Sequence, residues 1–256
     1  MKISIITVVM NAVDTIEDTL RSVATQTHPD VEHIVIDGGS TDGTLEIIER
    51  HRDCIALWKS EPDDGIYDAM NKGIELATGE VVGTLNADDV YNHDNVLTTV
   101  SQGFEDGRLE ACYADLVYVD PQDMDQVSRY WRSCDYRPGL FERGWIPAHP
   151  TFFVRRSVYE SLGSFDLQYR LHADTELTLR FLAVAGICSR YYPEIWVRMR
   201  TGGATNRSIG NILRGNLESY RACKAHGLKV TPLYFPIKFL SRLPQFIRRP
   251  KSGATD

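Results

Sequence analysis

The residues best suited to chemistry in this chain are acidic and sit in short turns. Asn86-Ala87-Asp88-Asp89 sets two adjacent carboxylates directly behind an apolar run. Neighbouring acids of this kind can share a hard cation through oxygen ligands. The same residues also suit a helix-capping turn, because acids favour helix N-termini. A second acidic turn, Asp37-Gly38-Gly39-Ser40-Thr41-Asp42-Gly43-Thr44, follows another apolar run. A carboxylate at a strand tip, followed by glycines that permit close backbone approach, fits the edge of a nucleoside. A tight turn with Ser40 or Thr41 capping the next helix would use the same residues. Between the two lies a segment in which Asp64-Gly65 opens a helix with Ile66, Met70, Ile74 and Ala77 as an apolar core stripe. Asn71 and Lys72 project elsewhere, within reach of a ligand, and Asp68 is expected on a solvated face.

Short β-rich runs alternating with amphipathic stretches must position these turns. Residues 3–9, 32–37, 55–59 and 81–85 read as strands, and 15–25, 41–50 and 65–77 as helices, the last stopped by Gly79. This is the βαβ pattern of an α/β fold with a mostly parallel sheet. Both acidic turns then fall at the carboxyl rim of one sheet, where open α/β sheets bind ligands. The later half is less regular. Residues 111–119, 127–132 and 151–155 are strand candidates; 173–185, with Leu177, Phe181 and Val184 on one face, and 208–226 are helix candidates. No proline- or glycine-rich linker separates the halves, so one continuous domain is expected over 1–226, followed by a tail, 227–256.

Composition narrows the class. Apolar residues at 43% and charged residues at 25% exclude disordered and fibrous chains. A net charge of −7 argues against a nucleic-acid partner, which would need a basic face, but not against a nucleotide held through a metal. Five scattered cysteines without a Cys-x-x-Cys pair indicate neither a zinc ribbon nor a disulfide framework and suit a reducing cytoplasm. The apolar N-terminal run is too short for a signal or membrane span and reads as a buried first strand. Only the tail is basic. Lys238, Arg242, Arg248, Arg249 and Lys251 alternate with Phe235, Ile237, Phe239, Leu240, Leu243, Phe246 and Ile247, as in a segment lying on an anionic membrane surface. Pro236, Pro244 and Pro250 break any long helix there, and packing against the domain is the alternative.

Several ordered motifs together resemble the family-2 glycosyltransferases of the GT-A fold. They are Ser4-Ile5-Ile6-Thr7 with Asn11, the turn beginning at Asp37, Gly65-Ile-Tyr-Asp-Ala-Met-Asn-Lys-Gly73, and Asn86-Ala-Asp-Asp89. The chain is most similar to bacterial transferases that assemble exopolysaccharides such as colanic acid and O-antigens. The resemblance is dense over residues 3–90, thinner from about 145 to 206, and absent from the tail. It implies a Rossmann-like three-layer α/β/α domain with a nucleotide-sugar half, 1–110, and an acceptor half, 111–226.

The resemblance also assigns roles. Val8, Asn11, Asp37, Gly38, Asp64, Lys72, Asn86 and Asp88 would line the site of a UDP- or GDP-linked sugar. Relatives often carry a second acid where this chain has Gly38, and Asp where it has Asn86, which leaves uridine and guanosine both open. Asp88 and Asp89 match the Asp-rich motif that binds Mn2+ or Mg2+, with Asp89 the firmer ligand. Asp174 matches the base that takes a proton from the acceptor hydroxyl in inverting transfer, and a helix cap is its alternative. His149 and Thr151 match a segment bordering the acceptor, a saccharide free or polyprenyl-linked, which would bring the enzyme to the inner face of the cell membrane. Glu176 and Arg180, one turn apart, are expected to pair at the surface. Arg200, before Gly202 and Gly203, could neutralise diphosphate charge or simply precede a turn. A nucleotidyltransferase is the rival enzyme, but Val8-Val9-Met10-Asn11-Ala12 lacks its glycine-rich basic loop. A silent sugar-nucleotide-binding subunit is the rival from another class.

Overall fold

A computed structural model describes residues 1–202 and 209–247. Along the chain run β1 (Ile3–Val9), α1 (Ile16–Ala24), β2 (Val31–Asp37), α2 (Thr44–Arg50), β3 (Leu57–Ser60), α3 (Ile66–Leu76) and β4 (Val81–Thr84). Next come β5 (Asp89–Tyr91), α4 (Val96–Gly103), β6 (Ala111–Val119), β7 (Val127–Trp131), β8 (Phe153–Arg155), α5 (Arg156–Leu162) and α6 (Ala173–Leu179). The last elements are β9 (Ser189–Arg200), α7 (Ile209–Ala225), α8 (Tyr234–Arg242) and α9 (Pro244–Ile247).

Among the described residues the nine strands form one sheet in the order β3-β2-β1-β4-β8-β6-β9-β5, with β7 paired to β6. The first four are mutually parallel. β1 is buried along its whole length and apolar except for Ser4 and Thr7, as suits a central parallel strand flanked by helices. β8 runs antiparallel to both β4 and β6, whereas β9 is parallel to β6. Because β8 reverses direction, the 3-10 turn before it, His149–Thr151, arrives beside the tip of β4.

Local differences from the sequence reading have physical causes. The helix expected over 173–185 is α6 followed by a π-helical stretch, Arg180–Ala185. The wider turn rotates the later residues off the 3.6-residue stripe, so Val184 is exposed while Leu177 and Phe181 stay in the core. Ile66 is likewise exposed at the first turn of α3, whereas Met70, Ile74 and Ala77 are buried. The segment 151–155 is strand only over Phe153–Arg155. The helix expected over 208–226 is α7; Ser208 lies outside the described residues, as do Gly203, Arg248, Arg249, Pro250 and Lys251. Pro236 is accommodated in the first turn of α8, and Pro244 opens α9.

The buried histidines include His33 on β2, with Thr7 Oγ1 2.9 Å from its Nε2, and His172 before α6. Burial pushes both down to about 4 from an ordinary 6.5. The unfolded chain therefore binds protons that the folded chain refuses between pH 6.5 and 4. Stability should be complete above pH 6.5 and fall as pH drops through that window. Melting from pH 7.5 to 4.5 should reveal the loss, and a folded His33→Leu variant should show a shallower slope; equal slopes would refute it.

Candidate active site

Three loops meet at the carboxyl rim of the parallel strands. The first follows β1. Asn11, the only described residue other than glycine with positive φ (51°), donates its backbone N–H to Ser40 Oγ (2.7 Å) and accepts Thr41 N–H at Oδ1 (2.9 Å). That left-handed conformation is one asparagine tolerates. It ties this loop to the second, after β2. There Asp37 is fully buried, and its carboxylate accepts from Gly39 N–H (2.9 Å), Ser40 N–H (3.0 Å), Ser40 Oγ (2.5 Å) and Ser60 Oγ (2.6 Å). The Asp37 side chain is thus engaged in building the turn. Gly38 beside it is covered differently: a Cβ there would collide with the Asp63 carboxylate. Asp63, on the loop before α3, was not singled out by sequence, because nothing in the spacing joins it to Gly38.

Asp64 is exposed, and its backbone N–H donates to Asp68 Oδ2 at 3.1 Å. Lys72 lies 3.2 Å from Asp68 and 3.5 Å from Glu61, and donates to the Pro62 carbonyl at 2.9 Å. It therefore stiffens the loop that carries Asp63. Asn71 brackets Phe165 with both ends of its amide, each bond 2.9 Å, and is spent on packing. Val8 is buried in β1.

The third loop carries the acidic pair. Asp88 is half-buried, and its carbonyl accepts from Arg200 Nη1 at 2.8 Å; Arg200 also reaches Asp18 at 2.5 Å. Asp89 starts β5 opposite Met199 of β9 and has no exposed surface. Burial first, then the charge of Asp88, push its carboxyl well above the usual range. Asn86 Nδ2 donates to Asp89 Oδ2 at 3.3 Å. Asp89 Oδ1 and Asn86 Oδ1 are buried without hydrogen-bond partners among the described residues. Two crowded carboxylates and two orphaned oxygens on one turn fit a divalent cation. Among the described residues no group of three His, Cys, Asp or Glu gathers, so the remaining ligands of such an ion would come from elsewhere.

His149 links this turn to Asp174. Its Nε2 lies 3.4 Å from Asn86 Nδ2 and its Nδ1 3.5 Å from Asp174 Oδ2. Burial lowers the His149 pKa against the opposing pull of Asp174 and Asp88, which favours a neutral ring. A proton on Nδ1 lets it donate to Asp174 and accept from Asn86. Asp174 Oδ1 accepts the Thr175 N–H at 2.8 Å and the Tyr67 hydroxyl at 3.2 Å. Asp174, His149, Thr84, Phe152, Tyr159 and Phe165 are among the residues lining a small cavity. Thr151 is fully buried, hydrogen-bonded to Ala114 and Ala148, and holds the turn rather than facing the cavity.

The Glu176–Arg180 pair is not at the surface. Glu176 is buried, paired with Arg180 (2.9 Å) and with His226 (2.7 Å), because α7 packs over it.

A sequence profile described as Glycosyl transferase family 2 matches residues 4–163. The PGL/p-HBAD biosynthesis glycosyltransferase of Mycobacterium tuberculosis is 33% identical over 209 residues, covering 80% of this chain and 79% of that protein. The putative teichuronic acid biosynthesis glycosyltransferase TuaG of Bacillus subtilis is 39% identical over 97 residues, covering 37% of this chain and 38% of that one. Among solved structures, S. aureus TarS 1-349 in complex with UDP-GlcNAc superposes with a TM-score of 0.66 at 18% identity, covering 94% of this chain and 72% of that one. The mannosyltransferase PcManGT from Pyrobaculum calidifontis, in complex with GDP-Man and Mn2+, gives 0.65 at 21%, covering 94% and 69%. Against the longer TarS chain the present chain spans 43% of the length.

Proposed function

The chain belongs to glycosyl transferase family 2, and from that premise we propose that it moves a sugar from a nucleoside-diphosphate donor to a saccharide hydroxyl with inversion, in bacterial surface polysaccharide assembly. The observation that carries this reading is the line of contacts Asp89–Asn86–His149–Asp174, which brings the acidic turn and the base candidate to one cleft.

Asp88 and Asp89 would hold a divalent ion, Mn2+ or Mg2+, which when bound offsets the charge of the donor diphosphate. The chain's own residues do the rest. The Asn11–Ser40–Thr41 contacts fix the two loops beside the nucleotide, and Asp63 supplies beside Gly38 the second carboxylate that relatives carry at that position. Asp174 accepts the proton of the acceptor hydroxyl as its oxygen bonds to the anomeric carbon. The carbon–oxygen bond to the diphosphate breaks on the opposite face, and the nucleoside diphosphate leaves with the electron pair. Tyr67 and the Thr175 N–H hold Asp174 Oδ1, so Oδ2 is the oxygen available to the proton. His149 borders the acceptor hydroxyl, with Thr151 holding its turn.

We further place the enzyme in a reducing compartment, where five free cysteines are stable. We also place it against a membrane carrying a lipid-linked acceptor. Supporting this contact, Phe239, Leu240 and Phe246 of α8 and α9 are exposed alongside Leu213 of α7. Among the described residues no helix is long and apolar enough to cross a membrane.

Thermal melting with UDP, GDP and dTDP, each with Mn2+ or Mg2+, tests the donor reading. The matching nucleotide at about 100 times its Kd should raise the melting temperature by roughly 5–10 °C. No shift with any pair would refute it.

A further inference from the structure

Helix α8 carries a buried lysine for which the proposed chemistry has no use. Lys238 is 2% exposed, although Phe239 and Leu240 beside it face outward. Burying an ammonium is costly unless anions compensate. Its hydrogen bond goes to a neutral group: Nζ donates to Ser219 Oγ at 3.2 Å, and lies 5.5 Å from the centre of the Tyr234 ring. Packing fixes the stem, for a Cβ on Gly144 would collide with it, and Gly144 has φ +79°.

The ammonium points toward the loop that delivers the base. Ser219 Oγ is 2.5 Å from His172 Nδ1. On the same turn of α7, Glu218 Oε2 accepts the backbone N–H groups of Leu171 (2.8 Å) and His172 (3.0 Å). Tyr67 donates to the Leu171 carbonyl at 3.0 Å and to Asp174 itself. Elements far apart in sequence therefore grip residues 171 and 172, three and two positions ahead of Asp174.

We propose that Lys238 is a positioning residue for Asp174: α8 anchors its ammonium on Ser219, and through Ser219 and His172 it steadies the loop that presents the base. The inference rests on the reading of Asp174 as the base. The titratable and charged groups around that loop are Tyr67 from α3, His149 from the 3-10 turn, His172 from the loop itself, Glu218 from α7, and Lys238 and Arg242 from α8, with Asp88 beyond His149. Burial, then Arg242, push Lys238 down to about 7 against the pull of Asp174. Lys238 is thus a cation throughout the acidic range in which carboxylates titrate.

The test is the split between kcat and donor KM for Lys238→Met and Lys238→Arg in the full chain. Met fills the same volume without charge, an exchange that is often neutral or stabilising; Lys238→Gln is a second uncharged variant should the Met protein melt early. In the uncharged variants kcat should fall by about ten-fold with donor KM changed by less than about two-fold, and Arg should keep kcat within about three-fold of the unaltered enzyme. A folded uncharged variant with unchanged kcat overturns the proposal, as does a kcat loss that Arg fails to rescue, because packing alone would then account for Lys238. Asp174→Asn in parallel separates the two readings. Retained turnover there removes the base assignment itself. An inactive Asp174→Asn beside unchanged kcat in the uncharged variants removes only the role of Lys238.

Discussion

Asp174→Asn should lower kcat by about 10²–10⁴-fold while leaving donor binding close to that of the unaltered protein. The amide has the shape of the carboxylate. Its oxygen can still accept from Thr175 N–H and Tyr67, now at 2.8 and 3.2 Å from Oδ1, while its NH2 turns toward His149. A neutral imidazole accommodates that change by moving its proton to Nε2 while the Asn86 amide flips to offer its otherwise unpartnered oxygen. The fold and the nucleotide loops are thereby preserved, and what disappears is the proton acceptor at Oδ2. Steady-state kinetics beside nucleotide-induced melting shifts will check this. Turnover within a few-fold of the unaltered enzyme would place the base elsewhere.

The second large effect is expected at Asp89. Its buried carboxylate stands against Asp88 with one oxygen unpartnered, an arrangement that costs stability when no cation is present. Asp89→Asn removes the charge and keeps the shape. Without metal, the variant should melt at the same temperature or higher, by about 2–4 °C for each kcal/mol of relieved strain. With Mn2+ and the matching nucleoside diphosphate, the melting shift of the unaltered protein should vanish. These opposite signs distinguish a ligand role from a structural one. A variant that loses stability without metal yet keeps the full nucleotide shift would show Asp89 to be a structural acid.

The parallel half was legible because its signals are local. Ile3–Val9 and Val81–Thr84 are short apolar runs that end in polar turns, and a strand tip is where a sheet meets its ligand. The paired acids could therefore be put at the rim from sequence. Their unequal exposure could not. Asp89 is covered by β9, more than a hundred residues later, whose pairing with β5 leaves no trace in the residues around 89. The same holds for Glu176, buried by α7, and for Asp63, which faces Gly38 through the folding of two loops. Lys238 was read as part of a basic surface run, since composition cannot tell that one member of the run turns inward while its neighbours turn out.

The reversal of β8 has a consequence for grafting one enzyme's specificity onto another. It lets the two halves of the cleft abut along a seam crossed by Asn86 to His149, Asn71 to Phe165, and Tyr67 to Leu171. A hybrid spliced near residue 110, in the loop between α4 and β6, would keep its own nucleotide loops and import a foreign acceptor side. Two of those crossings end on main-chain atoms, which any incoming sequence of the same backbone shape supplies. Asn86 to His149 joins two side chains, as do Tyr67 to Asp174 and Asp18 to Arg200, so parents that keep these three pairs are the compatible matches.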